Sequence, residues 1–174
     1  MMSALFVIPL SGLKEGRRTY TFEIGKGFFE LFDGSEIKEG ELKSVVELDK
    51  RSSHIDLRFR ITGNVSISCD RCLELFMHPV ESDNRLLIKP GKIWDENDPD
   101  ILTIPSDEHE LDIKQYLYEF IHLALPIQRI HPDDENGNSG CDKEMIKKIN
   151  EHAVNSQNET DPRWDELKKL MNNN

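Results

Sequence analysis

The residues of this chain best suited to bind a soft metal ion or exchange electrons are three cysteines and six histidines, and two of the cysteines form the pair Cys69-Asp70-Arg71-Cys72. A Cys-x-x-Cys turn lets two sulfurs converge on one ion at about 2.3 Å, which is half of a tetrahedral zinc site. Cys141, in an acidic loop, and His131, just after an apolar helical stretch, are the candidates for the other half. Zinc is a cofactor these residues could hold, though one Cys-x-x-Cys pair does not by itself require a metal. Two other readings stand beside it. Cysteine often packs as a small hydrophobe, alternation puts Cys69 on the apolar face of a strand, and the His131 to Cys141 spacing matches no standard half-site. Thiol exchange would need a low-pKa cysteine ahead of a supporting helix, and Pro79 follows Cys72 too soon for a long one.

No other catalytic pattern accompanies the cysteines. The chain has no H-E-x-x-H pair, no G-x-S-x-G elbow, no Walker loop and no dinucleotide glycine fingerprint. Carboxylates are abundant, but none stands out as an acid–base pair. We expect a protein that binds rather than catalyses, with no small-molecule substrate.

Charge narrows the choice of partner. Acidic residues number 33 against 22 basic, a formal net charge of -11, so most of the surface repels a phosphate backbone and suits a basic protein. Arg58, Arg60 and Arg71 are the candidate RNA contacts, on or near one outward strip of an extended segment, with Lys14, Arg17 and Arg18 as additions. Arginines on an exposed strand also serve simply to keep it soluble. Phe59, interleaved with them, falls on the opposite face, which weakens a base-stacking platform.

The apolar run from residue 4 to 10 is short, contains Pro9 and has no basic residue before it, unlike a signal peptide. No stretch reaches the roughly 18 apolar residues of a membrane span. A cytoplasmic location without membrane association follows as the expectation, and free thiols suit a reducing compartment.

The elements that must position these residues come in two kinds. Before residue 105 the apolar period is two. The run from Ala4 to Leu10 is apolar on both faces, as in a buried strand; Thr19 to Ile24 puts Tyr20, Phe22 and Ile24 on one face. Ile55, Leu57, Phe59 and Ile61 alternate with polar neighbours. The parity resumes in Val65, Ile67 and Cys69 beyond Gly63, which reads as a bulge or bend. A further extended segment, Leu73 to Leu87, is interrupted by Pro79. Pro90-Gly91 reads as a turn, and the polar stretch Gly91 to Asp100 as a loop before a short strand at Ile101 to Ile104.

From Asp112 the period lengthens to about 3.6. Ile113, Leu117, Phe120, Ile121 and Ala124 form one stripe, Asp112 and Gln115 have capping-box spacing, and Pro126 ends the helix. Asp133 to Ser139 reads as a loop and Lys143 to His152 as a short helix carrying Met145, Ile146 and Ile149. The fold class is α+β, with a largely antiparallel sheet in the first two thirds followed by a main helix and short C-terminal helices. A single domain is expected over 1–154. Residues 155–174 are expected to form a flexible linker and a closing helix capped by Asp161-Pro162, with Trp164, Leu167 and Met171 on one side.

Three separated motifs carry a family resemblance. The run Gly63-x-Val65-x-Ile67-x-Cys69-x-Arg71-Cys72-Leu73-Glu74 with Pro79-Val80 comes first. Asp112-Ile113, Glu119, Leu123-Ala124-Leu125-Pro126 and His131 follow, and Asp161-Pro162-Arg163-Trp164 with Leu167 to Leu170 closes the series. Together, over about residues 60 to 170, the chain resembles the YceD-like large ribosomal RNA subunit accumulation proteins. The resemblance implies an accessory role in accumulation or assembly of the large subunit and its 23S rRNA. Partners would be a large-subunit ribosomal protein, the 23S rRNA precursor, or both, and Arg163 and Trp164 join the candidate partner-binding residues. Many relatives carry further cysteine pairs after the Leu-Pro, where this chain has Cys141 alone. An interaction adaptor unrelated to ribosomes, or a Cys-x-x-Cys thiol oxidoreductase, are the alternative functions.

Overall fold

The computed structural model describes residues 6–98, 100–133 and 135–153. Its centre is a six-stranded sheet. The strands are β2 (Gly16–Ile24), β3 (Glu39–Lys50), β4 (Ile55–Ser68), β5 (Leu75–Gly91), β7 (Ile101–Pro105) and β6 (Asp95–Asp98), in that spatial order. All neighbours are antiparallel except β5 and β7. A two-stranded ribbon joins β1 (Val7–Pro9) to β8 (Glu110–Asp112). The helices are α1 (Lys26–Phe29), α2 (Lys114–Leu123) and α3 (Lys143–His152). The fold is α+β with the longer helices late in the chain, as the change of period predicts.

One face of the sheet is buried. Leu57, Phe59, Ile61, Val65 and Ile67 of β4 point into it with Leu42, Val46 and Leu48 of β3 and Leu86 and Ile88 of β5. Strand side chains alternate between faces, so the intervening Arg58, Arg60 and Ser66 look outward. Leu117 and Ile121 of α2 cover the core, and Phe120 meets Phe59 edge to face at 5.2 Å. On α1, Phe28 and Phe29 are buried at an end of the sheet.

Several local readings are corrected. Gly63 is not a bulge: β4 keeps an unbroken register with β3 and β5 on either side of it. The glycine is required because its φ is 148° and a Cβ there would lie 2.2 Å from the Glu41 carbonyl oxygen. Pro79 does not interrupt β5, which runs straight through it opposite Asn64. Pro90 and Gly91 are the last strand residues rather than a turn, because β7 pairs with them. Within the supposed loop before β7, β6 adds a strand. β1 is buried on one side only, through Phe6, Ile8 and Leu10, with Pro9 exposed. Asp112 and Gln115 form no capping box: Asp112 accepts from the Lys114 N–H at 2.9 Å, while the Gln115 amide donates to Glu119 at 2.7 Å. α3 has the expected bounds. The closing segment, with Arg163 and Trp164, lies outside the described residues.

Candidate metal centre

β4 and β5 meet in the turn that carries the cysteine pair. The turn closes on itself through backbone bonds: the Cys69 N–H donates to the Glu74 carbonyl and the Leu73 N–H to the Cys69 carbonyl, both at 2.9 Å. Leu73 completes this geometry in the left-handed region, at φ 65°. Asp70 ties the turn to the segment after α2. Its N–H donates to the Arg129 carbonyl at 2.7 Å, and its carboxylate accepts from the Arg129 N–H at the same distance. That tie brings the chain past the cysteines two residues before His131.

Cys141 arrives from the other side. Asp133 and Ser139 form an isolated antiparallel bridge that folds the loop back. Gly140 permits the close return, since a Cβ there would lie 2.6 Å from the Pro132 carbonyl oxygen. Asp142 then caps α3 by accepting from the Met145 N–H at 2.6 Å. Met145 and Ile146 of that helix pack against the cysteines, as do Phe76 and Ile130.

Cys69, Cys72 and Cys141 are buried and His131 half-buried, with their four ligand atoms within 4.8 Å of one another. The Sγ atoms of Cys69 and Cys141 are 3.7 Å apart, and Cys72 Sγ is 3.4 Å from His131 Nδ1. Two sulfurs bound at about 2.3 Å with a tetrahedral angle between them stand about 3.8 Å apart, and a sulfur and an imidazole nitrogen slightly closer. The spacing fits ligands of one ion. It does not fit a disulfide, whose sulfurs lie about 2.05 Å apart, and all three cysteines are free.

The electrostatics favour a bound cation. Burial pushes the Cys69 thiol up, but N–H groups of Cys72, Arg71 and His131, with the His131 ring, outweigh it and bring the value down to about 6. A hydrogen bond with Ser139 lowers Cys141, yet burial and the neighbouring Cys69 and Cys72 sulfurs leave it raised. Three sulfurs this close repel one another when ionised, and a divalent cation removes that conflict.

The other candidates are not gathered here. Arg58 and Arg60 lie on the outward face of β4, as alternation requires, whereas Arg71 sits in the turn beyond the strand and does not extend their strip. Neither strip arginine is free. Arg58 donates twice to Asp83, at 2.8 and 2.6 Å, and Arg60 lies 3.4 Å from Glu47 and 3.8 Å from Asp83. Arg85, which sequence reading missed, makes a two-pronged pair with Asp56, and Arg17 lies 3.8 Å from Asp49. Only strand register could have revealed these pairs, because their members are distant in sequence.

Fold and site together define a class: an α+β scaffold whose longest ribbon ends in a knuckle of three buried cysteines and one half-buried histidine. The chain belongs to the YceD family, described as large ribosomal RNA subunit accumulation proteins, whose model matches residues 57–171. The matched stretch begins in β4 and includes all four knuckle residues. No curated protein and no solved structure matches the chain. Among the described residues no helix is long and apolar enough to cross a membrane.

Proposed function

We propose that this chain supports accumulation or assembly of the large ribosomal subunit and its 23S rRNA by binding, and that Cys69, Cys72, His131 and Cys141 hold a structural zinc ion. Family membership supports the ribosomal role. The observation that carries the binding reading is the composition of the centre: four protein ligands, three of them buried, leave no position for an activated water. Zinc in such a site would lock the turn between β4 and β5 to the loop before α3. His131 and Cys141 together take the place of the second cysteine pair that many relatives carry.

The partner is a basic large-subunit ribosomal protein attracted to the acidic surface, with any contact to the 23S rRNA precursor made through arginines. Arg58, Arg60 and Arg71 remain the candidates for that contact, and Arg163 and Trp164 are proposed to bind a partner. The protein works in the cytoplasm. Sucrose-gradient profiles of a deletion strain test the role: free large subunits and 23S rRNA should fall relative to the small subunit and recover with the wild-type gene. Unchanged profiles would refute it and favour an adaptor unrelated to ribosomes.

A further inference from the structure

Leu73 is the one non-glycine residue with positive φ among the described residues. A branched L side chain is strained there, where glycine or asparagine sits easily. The turn needs the left-handed backbone but not a leucine side chain, since its hydrogen bonds use only main-chain groups. Packing returns little to offset the strain, because Leu73 is 70% exposed. Strain held without a structural return marks a residue whose side chain serves something outside the fold.

Its neighbours share this property. Leu75 is 70% exposed and Met77 is 56% exposed, on the outer face of β5, while Phe76 between them turns toward the cysteines. Across the ladder they face Ser68 and Ser66, too small to cover them. Three large apolar side chains therefore project at the knuckle end of the ribbon in a strongly acidic protein.

We infer that Leu73, Leu75 and Met77 form a docking surface for an apolar anchor flanked by lysine or arginine on a basic protein. The inference rests on the ribosomal-protein reading above and names the surface that would serve it. Charge decides the occupant. Asp70 and Glu74 lie in the turn with Leu73, Glu81 lies two residues beyond Pro79 on the outer face of β5, and Glu41 lies on β3 across Asn64 from Pro79. Glu41, Glu74 and Glu81 make no ion pair among the described residues, and the cations near them are Arg71, Lys43 and Arg60, the last already shared between Glu47 and Asp83. Such a rim repels a phosphate backbone and attracts a basic polypeptide. A second copy of this acidic chain is a poor match, and three side chains fall short of the about 800 Å² per partner of a stable interface between two folded surfaces. A short anchor in a groove or on an extended segment needs less.

The test uses the full chain with purified large-subunit ribosomal proteins, each titrated in turn at physiological salt. The wild type should bind at least one. For that protein, Leu75→Ser with Met77→Ser should weaken affinity at least ten-fold. Leu73→Asn should weaken it several-fold while its thermal midpoint stays at or above the wild-type value. A purely structural Leu73 would show the reverse, lower stability with affinity intact. Wild-type binding that none of these changes alters overturns the docking surface and leaves the ribosomal role standing, whereas no binding to any of the proteins refutes the partner assignment itself. Strong hydrogen-exchange protection of residues 73–77 in the chain alone, lost on deleting 155–174, would make the chain's own C-terminal segment the occupant and likewise overturn the inference.

Discussion

The sulfur atoms of Cys69 and Cys141 lie 3.7 Å apart although the residues are 72 positions apart in the chain. That contact joins the β4–β5 turn to the start of α3, and a metal ion bound there would act as a cross-link. Protein purified without chelators should contain about one equivalent of zinc, and Cys141→Ala should reduce this to below about a tenth. The variant should melt several degrees lower, at roughly 2–4 °C per kcal/mol lost in a chain of this size. Amide protection of Lys143–His152 should fall with it, because α3 buries no residue of its own and rests on the cluster through Met145 and Ile146. Wild-type protein with less than a tenth of an equivalent of zinc and reactive thiols would reduce the cluster to packing.

Gly63 should tolerate no side chain. A Cβ there would meet the Glu41 carbonyl oxygen at 2.2 Å and the Leu42 Cα at 2.6 Å, both main-chain atoms of a paired strand that cannot step aside alone. Gly63→Ala should cost about 2 kcal/mol or more, read as a lower denaturation midpoint. Gly34→Ala, at a positive φ but with nothing within 4 Å, should cost less, since only the backbone conformation is strained. Equal effects would mean that the close approach of β3 and β4 contributes nothing.

The Asp56 carboxyl is held below the ordinary carboxylate range, first by its hydrogen bond from Arg85 and, against some loss from burial, by that residue's charge. A folded-state value below the unfolded one of about 3.9 means stability that is present above that pH and fades as pH falls through the folded value. Arg85→Gln should therefore be less stable than wild type at pH 6 to 7, and only modestly so because solvent screens the largely exposed Arg85. The difference should shrink as pH falls below about 4. A difference constant from pH 7 to pH 3, measured by denaturant unfolding, would count against the pair.

The knuckle was readable from sequence because its chemistry is carried by residue types that are scarce here: three cysteines, two of them in one turn, leave few ways to assemble a site. His131 emerged from its position beside the helix end, whereas Gly140, which lets Cys141 approach it, gave no signal distinguishing it from a loop glycine. β4 was legible because every second residue from Leu57 to Ile61 is large and apolar. β3 was not, since its inward positions include Gly40 and Ser44, so the apolar alternation thins. Leu73 looked like an ordinary strand leucine, because backbone handedness leaves no trace in a side chain's hydropathy. The partners of Arg58, Arg60 and Arg85 depend on strand register, which a hydropathy pattern constrains by face but not by row.

That register bears on RNA. Asp83 accepts from Nε and Nη2 along one edge of the Arg58 guanidinium and lies 3.8 Å from Arg60, which Glu47 also approaches. Each arginine must leave a carboxylate before it can meet a phosphate, and the surrounding net charge opposes the approach. Wild-type protein alone should therefore bind naked 23S rRNA weakly at physiological salt, with a shallow dependence on salt. Asp83→Asn removes the Arg58 partner while preserving shape, so it should raise RNA affinity and steepen the plot of log K against log salt by about 0.7 to 0.9 for each additional phosphate neutralised. Reversing Arg58 and Arg60 to glutamate in the Asp83→Asn background should abolish that increase. Affinity for a ribosomal protein should be largely unaffected, because the arginine strip and the Leu73 turn occupy different parts of the ribbon. Filter binding of rRNA fragments across a salt series measures both quantities. Tight wild-type binding that the double reversal eliminates would show that the ion pairs open readily for RNA and that acidic repulsion is not the controlling term.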